Sequence, residues 1–255
     1  MDLENRLAQA QDITVDAARV AMSHFRKPLD IMSKSDKSPV TIADQATERA
    51  IRTALAQRFP GETIFGEEFG QSGDDMDMWI VDPIDGTKSF VSGLPLFGML
   101  LGYLSGGIVQ LGVINMPALN EVYAGARDLG ATLNGKPVTV STCEMLDDAR
   151  LFVNEGDKLA TGAPQVFDRL IQAGAVRRLS ADCYPHALVA SGHADAVVDY
   201  DLQPYDYLPV SAVVQAAGGI MTDWQGQALT MTSDGRTLTA ATPALHAALV
   251  ELVNL

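Results

Sequence analysis

The feature that most constrains this chain is a strand that ends in acid: Met78-Trp79-Ile80-Val81 runs straight into Asp82-Pro83-Ile84-Asp85-Gly86-Thr87. A short apolar run bounded by turn residues reads as a buried strand. A carboxylate at its end is positioned by a rigid element yet can face a cleft. The pattern recurs where Thr63-Ile64-Phe65 leads into Gly66-Glu67-Glu68, and Asp206 follows Tyr205 at the head of an apolar helical stretch. Carboxylates that converge on one point repel each other by kilocalories unless cations sit between them. Hard oxygen ligands favour magnesium, manganese or calcium over zinc, and no His/Cys cluster at zinc spacing competes. Taken alone, Glu67-Glu68 or Asp206 reads as a turn former. Asp82 to Thr87 is richer. It packages two carboxylates, the Ile84 carbonyl between them, Gly86 and a hydroxyl beside a loop whose N–H groups can cradle a phosphate.

Around this segment the periodicity predicts a mixed fold. Leu3 to Phe25 reads as a helix, and a second from Thr41 to Phe59 stops at Pro60-Gly61. That second helix places Asp44 and Glu48, four residues apart, on one face. Pro28 and the polar run Ser33 to Pro39 make the loop between the two helices. Phe97 to Leu104 and Ile108 to Asn115 flank Ser105-Gly106-Gly107, a hairpin signal, and Glu121 to Ala126 and Ala131 to Val140 add antiparallel strands. Beyond about Met145 strands alternate with helices, including helices at Pro164 to Ala173, Tyr184 to Gly192, Asp206 to Gly218 and Pro243 to Val253. The expected fold class is α/β. An α+β half, residues 1–145, carries the acidic motif, and an α/β half, residues 146–255, carries Asp206; no linker divides them, so they read as one unit.

With 255 residues and 47% hydrophobic content, the chain has ample material for a core. Its net charge of −14 argues against nucleic acid and anionic membranes as partners. Such a charge also hinders an enzyme that must attract an anion, unless bound divalent cations invert the local potential. The most apolar stretch, Leu94 to Val113, is broken by Pro95, Gly98, Gly102, Gly106 and Gly107 and is not read as a membrane span. The acidic start Met1 to Arg6 does not read as a signal peptide. Cys143 and Cys183, without a CxxC, read as reduced thiols, so a cytoplasmic location is expected.

Asp82 to Thr87, preceded by Trp79-Ile80-Val81, resembles the signature of the inositol monophosphatase superfamily of magnesium-dependent, lithium-sensitive phosphatases. The likeness continues in order through Lys37-Ser38-Pro39-Val40-Thr41-Ile42-Ala43-Asp44, Gly66-Glu67-Glu68, and Tyr205-Asp206 before a helix ending in Ala216-Ala217-Gly218-Gly219. The family's usual Trp-Asp is Tyr-Asp here, which keeps the carboxylate and changes the packing of the ring. The resemblance implies an αβαβα sandwich and a set of roles. Glu67, Asp82 and the Ile84 carbonyl would hold a first Mg2+, which lowers the pKa of a bound water, and Asp82, Asp85 and Asp206 a second at the leaving oxygen; a third, weaker ion near Glu67 and Mn2+ in place of Mg2+ are further expectations. Asp44 and Thr87, with Glu67, would activate the attacking water, and the N–H groups of Gly86 and Thr87 would hold the phosphate. Lithium inhibition and a homodimer are likewise implied by the resemblance alone.

Two stretches resemble the family's histidinol-phosphatase branch, Asp85 to Gly98 and Arg177-Arg178-Leu179-Ser180-Ala181-Asp182-Cys183-Tyr184. The branch shows Gly-Asp-Cys-Tyr at a point where this chain has Ala181-Asp182-Cys183-Tyr184. An acid at Asp182 suits the ammonium and imidazole of histidinol phosphate, although Asp182 also fits as the N-cap of the helix near Tyr184. Asp199 matches the family's acidic substrate-contacting position and could serve either an inositol hydroxyl or a cationic amine, and Arg178 is either a phosphate contact or a balance for nearby acids. His186 reads as a packing or surface residue. The expected activity is hydrolysis of L-histidinol phosphate, a small phosphorylated metabolite of histidine biosynthesis. An inositol-1-monophosphatase is the alternative within the class, and an inactive family member that binds a phosphorylated ligand or an RNA-processing partner is the alternative outside it.

Overall fold

The computed structural model describes residues 2–28, 32–33 and 39–255, with backbone only at 32–33 and 39–40. Lys37-Ser38 of the motif and most of the polar loop therefore lie outside the described residues. In chain order the elements are α1 (Leu3–His24), the paired strands β1 (Met32–Ser33) and β2 (Pro39–Val40), α2 (Ile42–Arg58), β3 (Thr63–Gly66), β4 (Gly70–Ser72), β5 (Met78–Asp85), α3 (Thr87–Val91), β6 (Gly98–Ser105), β7 (Ile108–Met116), β8 (Glu121–Ala126), β9 (Gly130–Leu133) and β10 (Lys136–Val138). There follow β11 (Arg150–Val153), α4 (Gly156–Gly162), α5 (Pro164–Leu170), β12 (Val176–Leu179), α6 (Tyr184–Ala190), β13 (Ala196–Asp199), α7 (Pro204–Ala216), β14 (Ile220–Asp223), β15 (Thr237–Ala240) and α8 (Pro243–Asn254). Sequence periodicity anticipates most of these; it misses the short α4 and β4 and the two-residue strands β1 and β2, which border the stretch read as a loop.

The first sheet has the strand order β10-β9-β8-β7-β6-β5-β3-β4 and is antiparallel except for the parallel pair β3 and β5. The second, β12-β11-β13-β15-β14, is parallel across β12, β11 and β13 and antiparallel beyond. Side chains alternate along β5, as the period of two demands. Trp79 and Val81 pack with Ile13, Ile51 and Leu55 of α1 and α2. Met78 and Ile80 pack on the other face with Leu208, Val210 and Val213 of α7. The far face of the second sheet is covered by α4, α5 and α8, through Leu159, Leu170, Leu245 and Leu249. The layers are therefore helix, sheet, helix, sheet, helix: an αβαβα sandwich. One buried cluster contains residues from both halves of the chain.

What brings α7 close to the first sheet is a row of glycines. Gly102 pairs with Gly112 and Gly112 with Gly125, so three neighbouring strands present no side chain at one register. A Cβ at Gly112 would run into the carbonyl oxygen of Pro209 inside α7, and one at Gly125 would lie 2.9 Å from the Val213 Cα. The helix sits in the resulting trough, and its N-terminal turn is carried over the end of β5.

Candidate active site

Parity along β5 sets the first carboxylate. Asp82 continues the face of Met78 and Ile80, so its carboxylate points toward α7 and is 2% exposed. The ladder to β6 then slips between Asp82 and Asp85, across Pro83, which has no N–H to donate. Asp82 Oδ1 accepts the Ile84 N–H at 2.9 Å, closing the turn. Asp85 Oδ2 accepts the Cys183 N–H at 2.6 Å, which ties the loop to the start of α6. Asp206 lies in the first turn of α7, where Oδ2 accepts the N–H of the N-cap Gln203 at 2.7 Å. Oxygen atoms of Asp82, Asp85 and Asp206 all lie within 4.8 Å of one another.

Such an arrangement is costly without a counter-charge. Burial, then Glu67, Asp85 and Asp206, push the Asp82 carboxyl well above the usual carboxylate range. Burial, then Asp182 and Asp206, do the same to Asp85. Burial, then Glu67, push Asp206 up to about 8. Three clustered oxygen donors of this kind, with Glu67 lining the same cleft, fit a hard divalent cation, which would keep all of them ionised.

The proposed water-activating pair meets beside this cluster. Thr41 caps α2, and the Asp44 carboxylate answers it: Oδ2 accepts the Thr41 N–H at 2.8 Å and hydroxyl at 2.6 Å. Oδ1 is left toward Thr87, whose hydroxyl lies 3.3 Å away and equally 3.3 Å from the Ile84 carbonyl. Gly86 precedes Thr87 in the left-handed region at φ 83°, and a Cβ there would sit 2.6 Å from the Asp182 Cγ.

Asp182 and Asp199 both line the cleft. Asp182 does not cap α6, whose N-cap is Cys183 without a side-chain bond. Its Oδ2 instead accepts the Ser89 hydroxyl at 2.5 Å. Burial raises its carboxyl above the usual range, although the Ser89 bond opposes this. Asp199 is 2% exposed, with Oδ2 taking the Asn154 amide at 2.7 Å and facing His186 Nε2 at 3.3 Å. Arg178 is not brought here. It stands on the exposed edge strand β12, in register with Phe152, because the turn at Ser180 and Asp182 carries the chain inward only after β12 ends.

Sequence reasoning missed several lining residues. His186, read as a packing or surface residue, is buried at 2% and also lines the cleft, with Nδ1 2.9 Å from the Thr239 hydroxyl. Asn154 bridges the Asp182 carbonyl at 2.8 Å and Asp199. At the rim, Lys88 lies 3.3 Å from Glu155, and Lys158 lies 3.1 Å from Glu155 and 3.0 Å from Asp201. No local pattern marks these residues, which meet only through long-range packing. Among the described residues no helix is long and apolar enough to cross a membrane.

Known proteins with this fold and these motifs can now be set beside the chain. The model of the inositol monophosphatase family matches residues 2–254. A histidinol-phosphatase from Chlorobaculum parvum is 39% identical over 97% of this chain and 96% of its own length. The chloroplastic bifunctional phosphatase IMPL2 of Arabidopsis thaliana is 38% identical over 88% of this chain, which spans 66% of that longer protein. The solved structure of an inositol monophosphatase from Zymomonas mobilis superposes with a TM-score of 0.90 at 34% identity, over the full length of both chains. A match over nearly every residue, on a fold that sets five acidic side chains and a threonine at one strand end, makes this chain a member of the inositol monophosphatase family of phosphatases.

Proposed function

We propose that the protein is a magnesium-dependent phosphomonoesterase that hydrolyses L-histidinol phosphate to L-histidinol and phosphate. The observation that carries the substrate choice is the acidic wall beside the carboxylate cluster. Asp182 and Asp199 line it, while the lysines that line the same cleft, Lys88 and Lys158, are each paired with acids. That surroundings suits an ester whose far end carries an ammonium and an imidazole, and it disfavours one with a second phosphate.

In this reading Glu67, Asp82 and the Ile84 carbonyl hold one ion, and Asp82, Asp85 and Asp206 another. When bound, the ions supply Lewis acidity for water activation and neutralise charge on the ester oxygens. The chain does the rest. N–H groups of Gly86 and Thr87 hold the phosphoryl group in line with the attacking water. As that water's oxygen bonds to phosphorus, its proton passes to the Thr87 hydroxyl and the Thr87 proton passes to Asp44 Oδ1, 3.3 Å away. The ester P–O bond breaks, the departing alkoxide takes a proton from a second water, and the hydroxide so formed recovers the proton held by Asp44, restoring its carboxylate.

The test is phosphate release from L-histidinol phosphate, myo-inositol 1-phosphate, fructose 1,6-bisphosphate and phosphoadenosine phosphate, with Mg2+ and with EDTA. Histidinol phosphate should give the highest kcat/KM, and EDTA should abolish turnover. Asp199→Asn should raise KM for histidinol phosphate about tenfold, equivalent to about 1.4 kcal/mol, and leave the inositol ester within about threefold. The likeness to the Zymomonas mobilis inositol monophosphatase favours inositol phosphate as the second reading. A higher kcat/KM on that ester would establish it, and no turnover of any ester would leave a phosphoryl-ligand binder.

A further inference from the structure

Glu48 is fully buried, one helical turn beyond Asp44 on α2, and takes no part in the chemistry described above. Its carboxylate is spent on the loop that carries Glu67. Oε2 accepts the Glu68 N–H at 2.7 Å and Oε1 the Phe69 N–H at 3.3 Å. Arg52 completes the clamp. Its Nε donates to Glu48 Oε1 at 2.7 Å, while its two remaining nitrogens reach the Gly70 carbonyl and, at 3.3 Å, the Ser72 hydroxyl. On its other side Glu67 is fixed by its own N–H, which donates to the Val81 carbonyl at 3.1 Å, one residue before Asp82. Position 66 has to be glycine for this approach, because a Cβ there would run into Glu48 Oε1.

The geometry points to Glu48, with Arg52, as a positioning residue for Glu67: it sets the Glu67 loop against the end of β5, so that the carboxylate meets a bound divalent cation already oriented. The inference rests on the reading of Glu67 as a metal ligand. It also gives α2 a double task, since the same helix aims Asp44 at Thr87 and locks the neighbouring ligand loop one turn later. A charged acceptor with two backbone N–H donors and a forked guanidinium defines a single loop conformation, and loss of such outer support weakens metal affinity by about 10–100-fold in general. A merely structural ion pair would change melting temperature and leave metal affinity alone.

The test uses the full-length protein stripped of metal, with Mg2+ titrated calorimetrically in the absence of substrate and, separately, against phosphate release. Glu48→Gln keeps the shape and one acceptor but loses the charge and the pairing with Arg52. It should bind Mg2+ at least about tenfold more weakly, with kcat at saturating Mg2+ within about threefold of wild type. Hydrogen exchange over residues 66–72 should be faster in the metal-free variant. Arg52→Lys, on a half-buried side chain, should shift Mg2+ affinity in the same direction by less. Wild-type Mg2+ affinity in folded Glu48→Gln, or a fall in kcat that saturating Mg2+ does not restore, would overturn the proposal. Should Glu48→Gln fail to fold, unchanged Mg2+ affinity in Arg52→Lys would overturn it. Glu67→Gln keeps the two failures apart: wild-type Mg2+ affinity in that variant refutes the ligand assignment itself, and the positioning role with it.

Discussion

Replacing Asp206 by Asn should make the metal-free protein more stable near neutral pH, although it damages the enzyme. Burial, then Glu67, raise the Asp206 carboxyl to about 8 from a reference of 3.8. The folded protein therefore keeps a proton that the unfolded chain gives up. The stability linked to that proton is fully present below about pH 3.8 and is lost as the pH rises through about 8. At pH 7 the accumulated loss is about 4 kcal/mol. Asp206 is partly open to the cleft, and water there screens the interaction, so about 2 kcal/mol is the expected size. Asparagine keeps an oxygen for the Gln203 N–H at 2.7 Å, so the helix cap survives. For a chain of this size the gain corresponds to a Tm rise of about 4–8 °C. Thermal unfolding in EDTA across pH 4 to 8 measures it. The variant's advantage should be near zero at about pH 4 and largest at about pH 8. Excess Mg2+ should reverse the order, because only the wild type keeps the full ligand set and its binding free energy. A variant less stable than wild type in EDTA at pH 8, or an advantage independent of pH, would refute the reasoning.

Thr87→Val removes the hydroxyl that lies 3.3 Å from Asp44. It should lower kcat about 100-fold while KM and the Mg2+ requirement stay within about threefold; an effect confined to KM would count against proton relay. Gly112→Ala drives a Cβ into the Pro209 carbonyl and should destabilise by about 3 kcal/mol, read as a Tm fall of about 6–12 °C. Because α7 also carries Asp206, the same variant should need more Mg2+ for half-maximal activity, and an unchanged Tm would show that the helix is not seated by the glycine row.

Much of the site is local in sequence and was legible there for physical reasons. A short unbroken apolar run marks β5, and the alternation of side chains along any strand decides that Asp82 and Ile80 share a face. Thr41 and Asp44 form a capping box within one helical turn, which orients the Asp44 carboxylate before any tertiary contact exists. Asp82, Ile84, Asp85 and Gly86 lie in one turn, and the acidic residues that follow β3 and end β5 are adjacent in sequence to the apolar runs that mark those strands. These are the parts whose geometry is set over a few residues.

Other features depend on contacts between distant segments. Nothing near Asp206 in sequence says that it reaches Asp82; a trough of glycines at Gly102, Gly112 and Gly125, each on a different strand, seats α7 so that it does. Asp182 reads locally as a helix cap, yet the left-handed turn at that residue and the Ser89 hydroxyl 93 positions earlier turn it to the cleft wall. Arg178, four residues before Asp182, is left on an exposed edge strand because β12 ends between them. His186 and Asn154 converge on Asp199 only because β11, β13 and α6 pack together. The sequence by itself determined which groups are available for the proposed chemistry, since the carboxylates read as metal ligands and the proposed water-activating pair lie at strand ends and helix starts. The tertiary structure decided the shape and charge of the cavity around that chemistry, because a cavity wall is assembled from side chains that no local interaction brings together.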